Sequence, residues 1–376
     1  MVAGLTGPGK ATAIENLLSA LKIPYPAACV IVALLIGPGG AIAAVYLESH
    51  SIVDAYAKTT ALFLGATLSP ASSFVGLFLL SLSLYYILYG VQYMRLRLVR
   101  SRQQLLSLLP NGEGDFEKAF SRVSSTWPPM LLAIALGFAL GATAFLQLSS
   151  FADGIPTTIY LVFAYPLWFF ALFTFVWIFV TAIRGLYDLG RLQLHLKPFS
   201  EDRMFGLHAF GSLALFFSAI YFAGLALIAY PVADSPITVT VLLLFVGFGL
   251  FLFLLPLFAL HEKMSSEKYR ERLKLVQMSR GYLSRFEESS LIESGFPRTH
   301  DGDGDPDSPS EATLADVRSE IRALLAIQAI EINRREVDSL PSWPFDTSIA
   351  SRITAILLAV IGAIVARYVQ ILLGIG

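Results

Sequence analysis

The chain has 376 residues, of which 55% are hydrophobic, 12% aromatic and only 15% charged, and its mean hydropathy is +0.66. So large an apolar share with so few charges excludes an ordinary soluble domain of this length and points to the membrane class. A formal net charge of −1 conceals a strong asymmetry along the chain, and the single cysteine, Cys29, excludes an intramolecular disulfide and a thiolate metal cluster.

In chain order, Gly4-Leu5-Thr6-Gly7-Pro8-Gly9-Lys10-Ala11 imitates a phosphate-binding loop, but Ala11 stands where a magnesium-binding Ser or Thr is needed. Ala13 to Lys22 is predicted as a short interfacial helix ahead of Pro24 and Pro26, within an N-terminal segment 1–26. Ala27 to Leu47 is the first apolar span, and Gly37, Pro38, Gly39 and Gly40 interrupt it. Proline removes a helical donor and the glycines raise the entropy of ordering, so a continuous straight helix is not expected. Three readings stay open: a kink packed against neighbours, a broken helix lining a substrate or ion path, or a signal sequence cleaved at Ala41-Ile42-Ala43.

Glu48 to Thr60 is polar, and Ala61 to Leu68 is too short to cross. Ser72 to Tyr93 is the second span; it ends in Tyr85, Tyr86, Tyr89 and Tyr93, with Arg95, Arg97, Arg100 and Arg102 following at once. Leu105 to Leu109 continues the helix as far as Pro110-Asn111-Gly112. Trp127-Pro128-Pro129 introduces the third span, Met130 to Leu148, where Gly137 and Gly141 place two small residues on one face. Thr157 to Ile183 is an aromatic fourth span, Arg184 to Arg203 is basic and amphipathic, and Phe205 to Tyr230 is the fifth span. Ile237 to Leu260 is the sixth; at 1.5 Å per residue it reaches roughly 35 Å, enough for a hydrocarbon core of about 30 Å. Ile349 to Leu373 is the seventh. The fold expected is therefore all-α, a polytopic bundle of about seven spans.

Beyond Leu260 the helix formers continue while charge density rises, so the sixth span is expected to run on out of the bilayer. Tyr269, Leu273, Val276 and Leu283 recur at helical spacing, and so do Leu314, Val317, Ile321, Leu324, Leu325 and Ile332 on a second helix starting near Glu311. Two facing stripes predict an antiparallel cytoplasmic hairpin over 261–346 with an acidic linker at 295–310. Asp301-Gly302-Asp303-Gly304-Asp305-Pro306-Asp307 resembles a calcium loop, but its turn-glycine position holds Pro306 and its bidentate glutamate position Ala312. The linker is read as solvated.

Assigned to alternate sides, 25 of the 27 Lys and Arg residues fall on the side of the hairpin; Lys58 and Arg367 are the exceptions. Loops rich in Lys and Arg remain cytoplasmic, which predicts an inside N-terminus and an outside C-terminus in the cytoplasmic membrane. Arginines beside spans two and six are also candidates to hold anionic lipid head groups. Spans one to three and five to seven share an orientation, and Trp127-Pro128 and Trp343-Pro344 precede the third member of each set, a pattern that a duplication would produce.

Lys197-Pro198-Phe199-Ser200-Glu201-Asp202-Arg203, with Gly206-Leu207 and Gly211, and Leu340-Pro341-Ser342-Trp343-Pro344-Phe345-Asp346 carry a resemblance. In these two patches the chain resembles an uncharacterised group of prokaryotic multi-pass membrane proteins, which has a Pro, Asp and Gly-Leu cluster before one span and a Trp-Pro-Phe-Asp element before the last. It departs from the group at Ser200 or Glu201, where the group often has histidine. The resemblance implies a multi-pass membrane fold and no activity. Asp202 and Asp346 stand before span entrances, where a carboxylate can accept orphan helix donors.

No Asp, Glu or Lys lies at mid-span, and the five histidines show no metal-ligand spacing, so neither cofactor nor metal site is predicted, nor a catalytic set. No nucleic-acid pattern appears. Arg367 is placed to snorkel to an interface or to face a wet cavity. The functions expected are a homo-oligomeric, channel-like passive transporter lined by the broken first span, or a membrane scaffold or sensor that recruits a partner through its hairpin. In a Cys29→Ser background, Arg100→Cys and Lys274→Cys are expected to react with an impermeant maleimide from the same membrane face. Labelling from opposite faces would overturn the topology.

Overall fold

The computed structural model describes residues 10–64, 70–135, 154–197, 201–202, 204–232, 236–295, 311–339 and 347–372. All regular structure among them is helical, as apolar segments require where no water can satisfy the backbone and each helix must close its own hydrogen bonds. Among the described residues, four helical stretches are long and apolar enough to cross a bilayer: Phe74–Arg100, Ile155–Arg191, His208–Ala229 and Val239–Ser284. A bent pair, Tyr25–Ile36 with Pro38–Ser49, makes a fifth if counted as one span. The expected third span lies mostly outside the described residues. The expected seventh forms a helix, Thr347–Leu372, whose apolar stretch is the shorter Thr354–Ala366.

Two units compose the chain. The first comprises Met1–Leu196, Leu207–Ala259 and Phe345–Gly376. It opens with α1 (Ala13–Ser19), the expected interfacial helix, whose Thr12 and Glu15 form a capping box. The bent pair α2 (Tyr25–Ile36) and α3 (Pro38–Ser49) follows, then α4 (Ile52–Leu64). The stretch expected to be a polar connection thus forms most of α4. His50 closes α3 in the left-handed conformation, and the Ser51 hydroxyl accepts from the Asp54 N–H at 3.3 Å to start α4, with Ala55 and Thr59 buried.

Next come α5 (Pro70–Arg100), α6 (Arg102–Leu106), α7 (Glu113–Phe120), α8 (residues 127–135) and α9 (Ile155–Arg191). Helix α7 has no counterpart among the elements expected from sequence, and α9 ends at Arg191, within the basic, amphipathic stretch Arg184 to Arg203. Helices α10 (His208–Val232) and α13 (Thr347–Leu372) pack together, with Val360 and Ile364 buried.

The core of this unit is built from aromatic rings set against glycines. Phe175 of α9 meets Gly90 of α5 and Gly224 of α10, where an added Cβ would stand 2.8 Å and 3.2 Å from its ring. Phe179 stacks on Tyr221 at 4.3 Å between centroids, and the Tyr221 hydroxyl donates to the Phe245 carbonyl at 3.0 Å. Lipid tails are as apolar as the side chains, so close packing carries helix association here, and small residues permit it. The Arg97 guanidinium lies 5.4 Å from the Phe216 ring, which brings the C-terminal end of α5 to the start of α10.

The second unit comprises Lys197–Gly206 and Leu260–Pro344. It contains the outer part of α11 (Pro236–Gly295), which continues unbroken from the sixth span as expected, and α12 (Glu311–Ser339). Lys268 Nζ donates to the Asp338 carbonyl at 2.7 Å, and Arg272 lies 3.7 Å from the Asp338 carboxylate, tying the end of α12 to α11. Of the residues in the two expected stripes, Tyr269, Leu273, Leu283, Ile321, Leu324, Leu325 and Ile332 are exposed and Val276 is half-buried. Charged contacts at Asp338 join the helices, and periodicity alone did not identify what covers the apolar faces. The loop 296–310, with the calcium-like run, lies outside the described residues, as do residues 1–9.

Phe175→Ala is expected to destabilise the first unit by about 3–5 kcal/mol, the range for a buried Phe replaced by Ala. Gly90→Ala should destabilise it as well, because its Cβ meets the ring. Unfolding in detergent micelles checks both, and unchanged midpoints would contradict the packing.

Candidate functional site: the broken first span

Helices α2 and α3 are bent by 43° at Gly37. Pro38 begins α3, where the missing donor costs least, and Gly37 adopts an extended conformation that ends α2. The two half-helices then approach very closely. A Cβ at Gly39 would stand 2.8 Å from the Leu34 carbonyl oxygen; at Gly40 it would stand 1.9 Å from that of Leu35 and 2.9 Å from the Tyr160 ring. Glycine is therefore required at Gly40 for space.

Breaking a helix frees carbonyls that continuous winding would have paired. Tyr160 of α9 takes one of them: its hydroxyl lies within hydrogen-bond distance of the Ile36 carbonyl, and also 2.8 Å from that of Gly37, which the N–H groups of Gly40 and Ala41 already approach at 3.2 and 3.4 Å. The same helix is held again at its N-terminus, where the Glu48 carboxylate of α3 accepts from the Thr157 N–H at 2.7 Å. An anion at a helix N-terminus meets both the unpaired donors and the positive dipole end. The break is thus closed by a side chain from a neighbouring helix.

At the start of α2 a buried ion pair holds α1 to α5. Arg95 Nε donates to both Glu15 oxygens at 2.9 Å and Nη2 to Oε1 at 2.8 Å, with 11% and 4% of the two side chains exposed. Glu15 also accepts from the Thr12 N–H at 2.8 Å. Two turns along α5 from Arg95, the Tyr25 hydroxyl donates to the Leu88 carbonyl at 2.9 Å, fixing α2 against α5. The sequence signal at Glu15 is the Thr12-x-x-Glu15 capping box, but its Arg95 partner is 80 residues away and has no signature.

The remaining candidates lie apart. Asp202, in the second unit, accepts from the N–H groups of Met204 and Gly206 at 2.8 and 3.1 Å. It therefore organises the turn before α10, in which Phe205 and Gly206 both have positive φ, and does not cap the helix's own first turn. In α10 the N–H groups of Phe210 and Gly211 turn instead to the Leu207 carbonyl. Asp346 lies outside the described residues, and Arg367 lies on α13 with no side-chain placement described. Among the described residues no group of three His, Cys, Asp or Glu side chains could hold a metal ion.

No family model matches the chain, and no curated protein or solved structure shows significant similarity to it.

Glu15→Gln leaves Arg95 buried without its counter-charge and is expected to cost about 3–5 kcal/mol. Glu15→Gln with Arg95→Met should recover most of that. A double-mutant cycle on unfolding in micelles measures it, and strict additivity would refute the coupling.

Proposed function

We propose that this integral membrane protein is a homo-oligomeric, channel-like passive transporter in which the broken first span and Tyr160 form the controlling element. The observation that carries this reading is the hydroxyl of Tyr160 seated between the carbonyls of Ile36 and Gly37. The Ile36 oxygen, left without a helical donor at the break and met by a side chain from another helix, is a polar contact point within an apolar segment. The chain lacks Asp, Glu and Lys at mid-span, which favours passive passage over ion-coupled transport. A cytoplasmic location of the basic end follows from the Lys and Arg bias, with the N-terminus inside and the C-terminus outside.

A second reading is a scaffold or sensor that recruits a partner through α11 and α12. The exposed apolar residues Leu324, Leu325 and Ile332, at 59%, 60% and 61% of full accessibility, favour it. The likeness to the prokaryotic multi-pass group fits either reading.

Flux of ions and small neutral solutes in proteoliposomes tests the first. Tyr160→Phe, which frees the Ile36 carbonyl, is expected to raise flux several-fold, and Gly39→Leu with Gly40→Leu to abolish it. Absence of flux for every solute, with the protein folded and oriented, would reject transport and leave the scaffold.

A further inference from the structure

Helix α7 and the last turns of α9 enclose a cleft of about 440 Å³ in the first unit. Its walls are held together from two sides. The Phe120 ring fills the place of a side chain at Gly185, where a Cβ would stand 2.5 Å from it, and the Trp177 indole N–H donates to the Arg122 carbonyl at 3.1 Å. The cleft is therefore a fixed feature of the fold, and its volume lies in the range of small-ligand sites, about 300–1,000 Å³.

The charges that line it do not cancel. Lys118, Arg122 and Arg184 face Asp115 and Asp188, an excess of one cation. Moreover, both carboxylates are partly engaged elsewhere. Asp115 accepts from the backbone N–H and side-chain amide of Asn111 at 3.1 and 3.3 Å, and Asp188 lies 3.9 Å from Arg184, its neighbour one turn back. Among the described residues no carboxylate comes within 4.0 Å of Lys118 or Arg122. Two cations without counter-ions thus share one concavity.

Its depth is marked by the residues around it. Trp177 lies on α9 within the candidate span, and Trp127, 70% exposed, follows Arg122 by five residues. Indole rings favour the head-group level of a bilayer. Beyond Trp127 in the chain, Met130, Leu131, Leu132 and Ile134 of α8 are exposed. Cations in the cleft and exposed apolar side chains on the next helix supply the two kinds of group that the two ends of a phospholipid need.

We propose that this cleft binds the phosphate of an anionic lipid head group, with Lys118 and Arg122 as its primary ligands, Arg184 assisting and the acyl chains lying along α8. Guanidinium presents a planar fork to phosphate oxygens while ammonium supplies a point charge, so the pair combines orientation with attraction. Anionic lipids attract basic groups at the membrane surface by about 1 kcal/mol each, which suits a site with two unmatched cations. The inference needs the membrane placement of the bundle and is independent of whether the protein conducts.

Native mass spectrometry of the full chain released from micelles tests it, using phosphatidylglycerol and phosphatidylcholine with identical acyl chains. The intact protein is expected to retain phosphatidylglycerol at least tenfold more tightly. Lys118→Gln with Arg122→Gln should erase that preference, Lys118→Arg with Arg122→Lys should keep it, and Arg280→Gln on exposed α11 should leave it unchanged. Equal retention of the two lipids, or a preference that survives the double glutamine variant, overturns the proposal. Displacement of the lipid by equimolar glycerol 3-phosphate overturns the lipid assignment and gives the cleft to a soluble phosphate ester. Circular dichroism of each variant establishes that the bundle is intact, as these exposed side chains should allow.

Discussion

A carbonyl oxygen inside a bilayer has no water to turn to, and the first span of this protein breaks where the Ile36 oxygen must find a donor outside its own helix. Tyr160 supplies it from a different helix, while the Gly37 oxygen beside it is also met by the N–H groups of Gly40 and Ala41. That one hydroxyl couples the geometry of the break to α9, and Glu48 repeats the coupling by capping the α9 N-terminus from α3. The bend is thus a joint between two helices, stable because each contributes what the other lacks. Gly39 and Gly40 make the joint possible by removing the atoms that would collide with the preceding half-helix.

Packing elsewhere in the first unit follows a related rule. With lipid as apolar as the core, helices gain little by hiding leucine from solvent, so the contacts that distinguish one arrangement from another are those of shape and hydrogen bonding. Phe175 against Gly90 and Gly224 supplies shape, and Tyr221 on the Phe245 carbonyl supplies a polar tie. At the end bearing α1, α6 and α7, the ion pair of Glu15 with Arg95 adds specificity, since each group is buried and needs the other. The same end gathers the cations of α5, α7 and α9, the chemistry from which the lipid cleft is built.

The second unit shows why a stripe is a weaker guide than a span. Apolar residues every third or fourth position along α11 and α12 say that something covers them, but the helical period is the same whether that cover is the other helix, another copy or another protein. In the structure Asp338 is held by Lys268 and Arg272, while Leu324 and Leu325 remain open.

Span positions were legible in the sequence because crossing a hydrocarbon layer imposes a length and a composition that no other role demands. Tyr25–Ser49, Pro70–Arg100, Ile155–Arg191, His208–Val232 and the membrane part of α11 accordingly appear close to where hydropathy put them. The break at Gly37 was legible for the same kind of reason: proline and glycine act on the backbone locally, whatever surrounds them. What closes the break was not. Tyr160 is one of 15 tyrosines, and nothing near it in the chain distinguishes it from the others. Glu15 with Arg95, Phe175 with its two glycines and the α7–α9 cleft are likewise pairings across many tens of residues. Sequence determined which segments are long and apolar enough to enter a membrane and where the first must bend, because those are properties of a segment alone. Tertiary structure decided what each polar or bulky group meets, because a partner is chosen by proximity in space and leaves no periodicity behind.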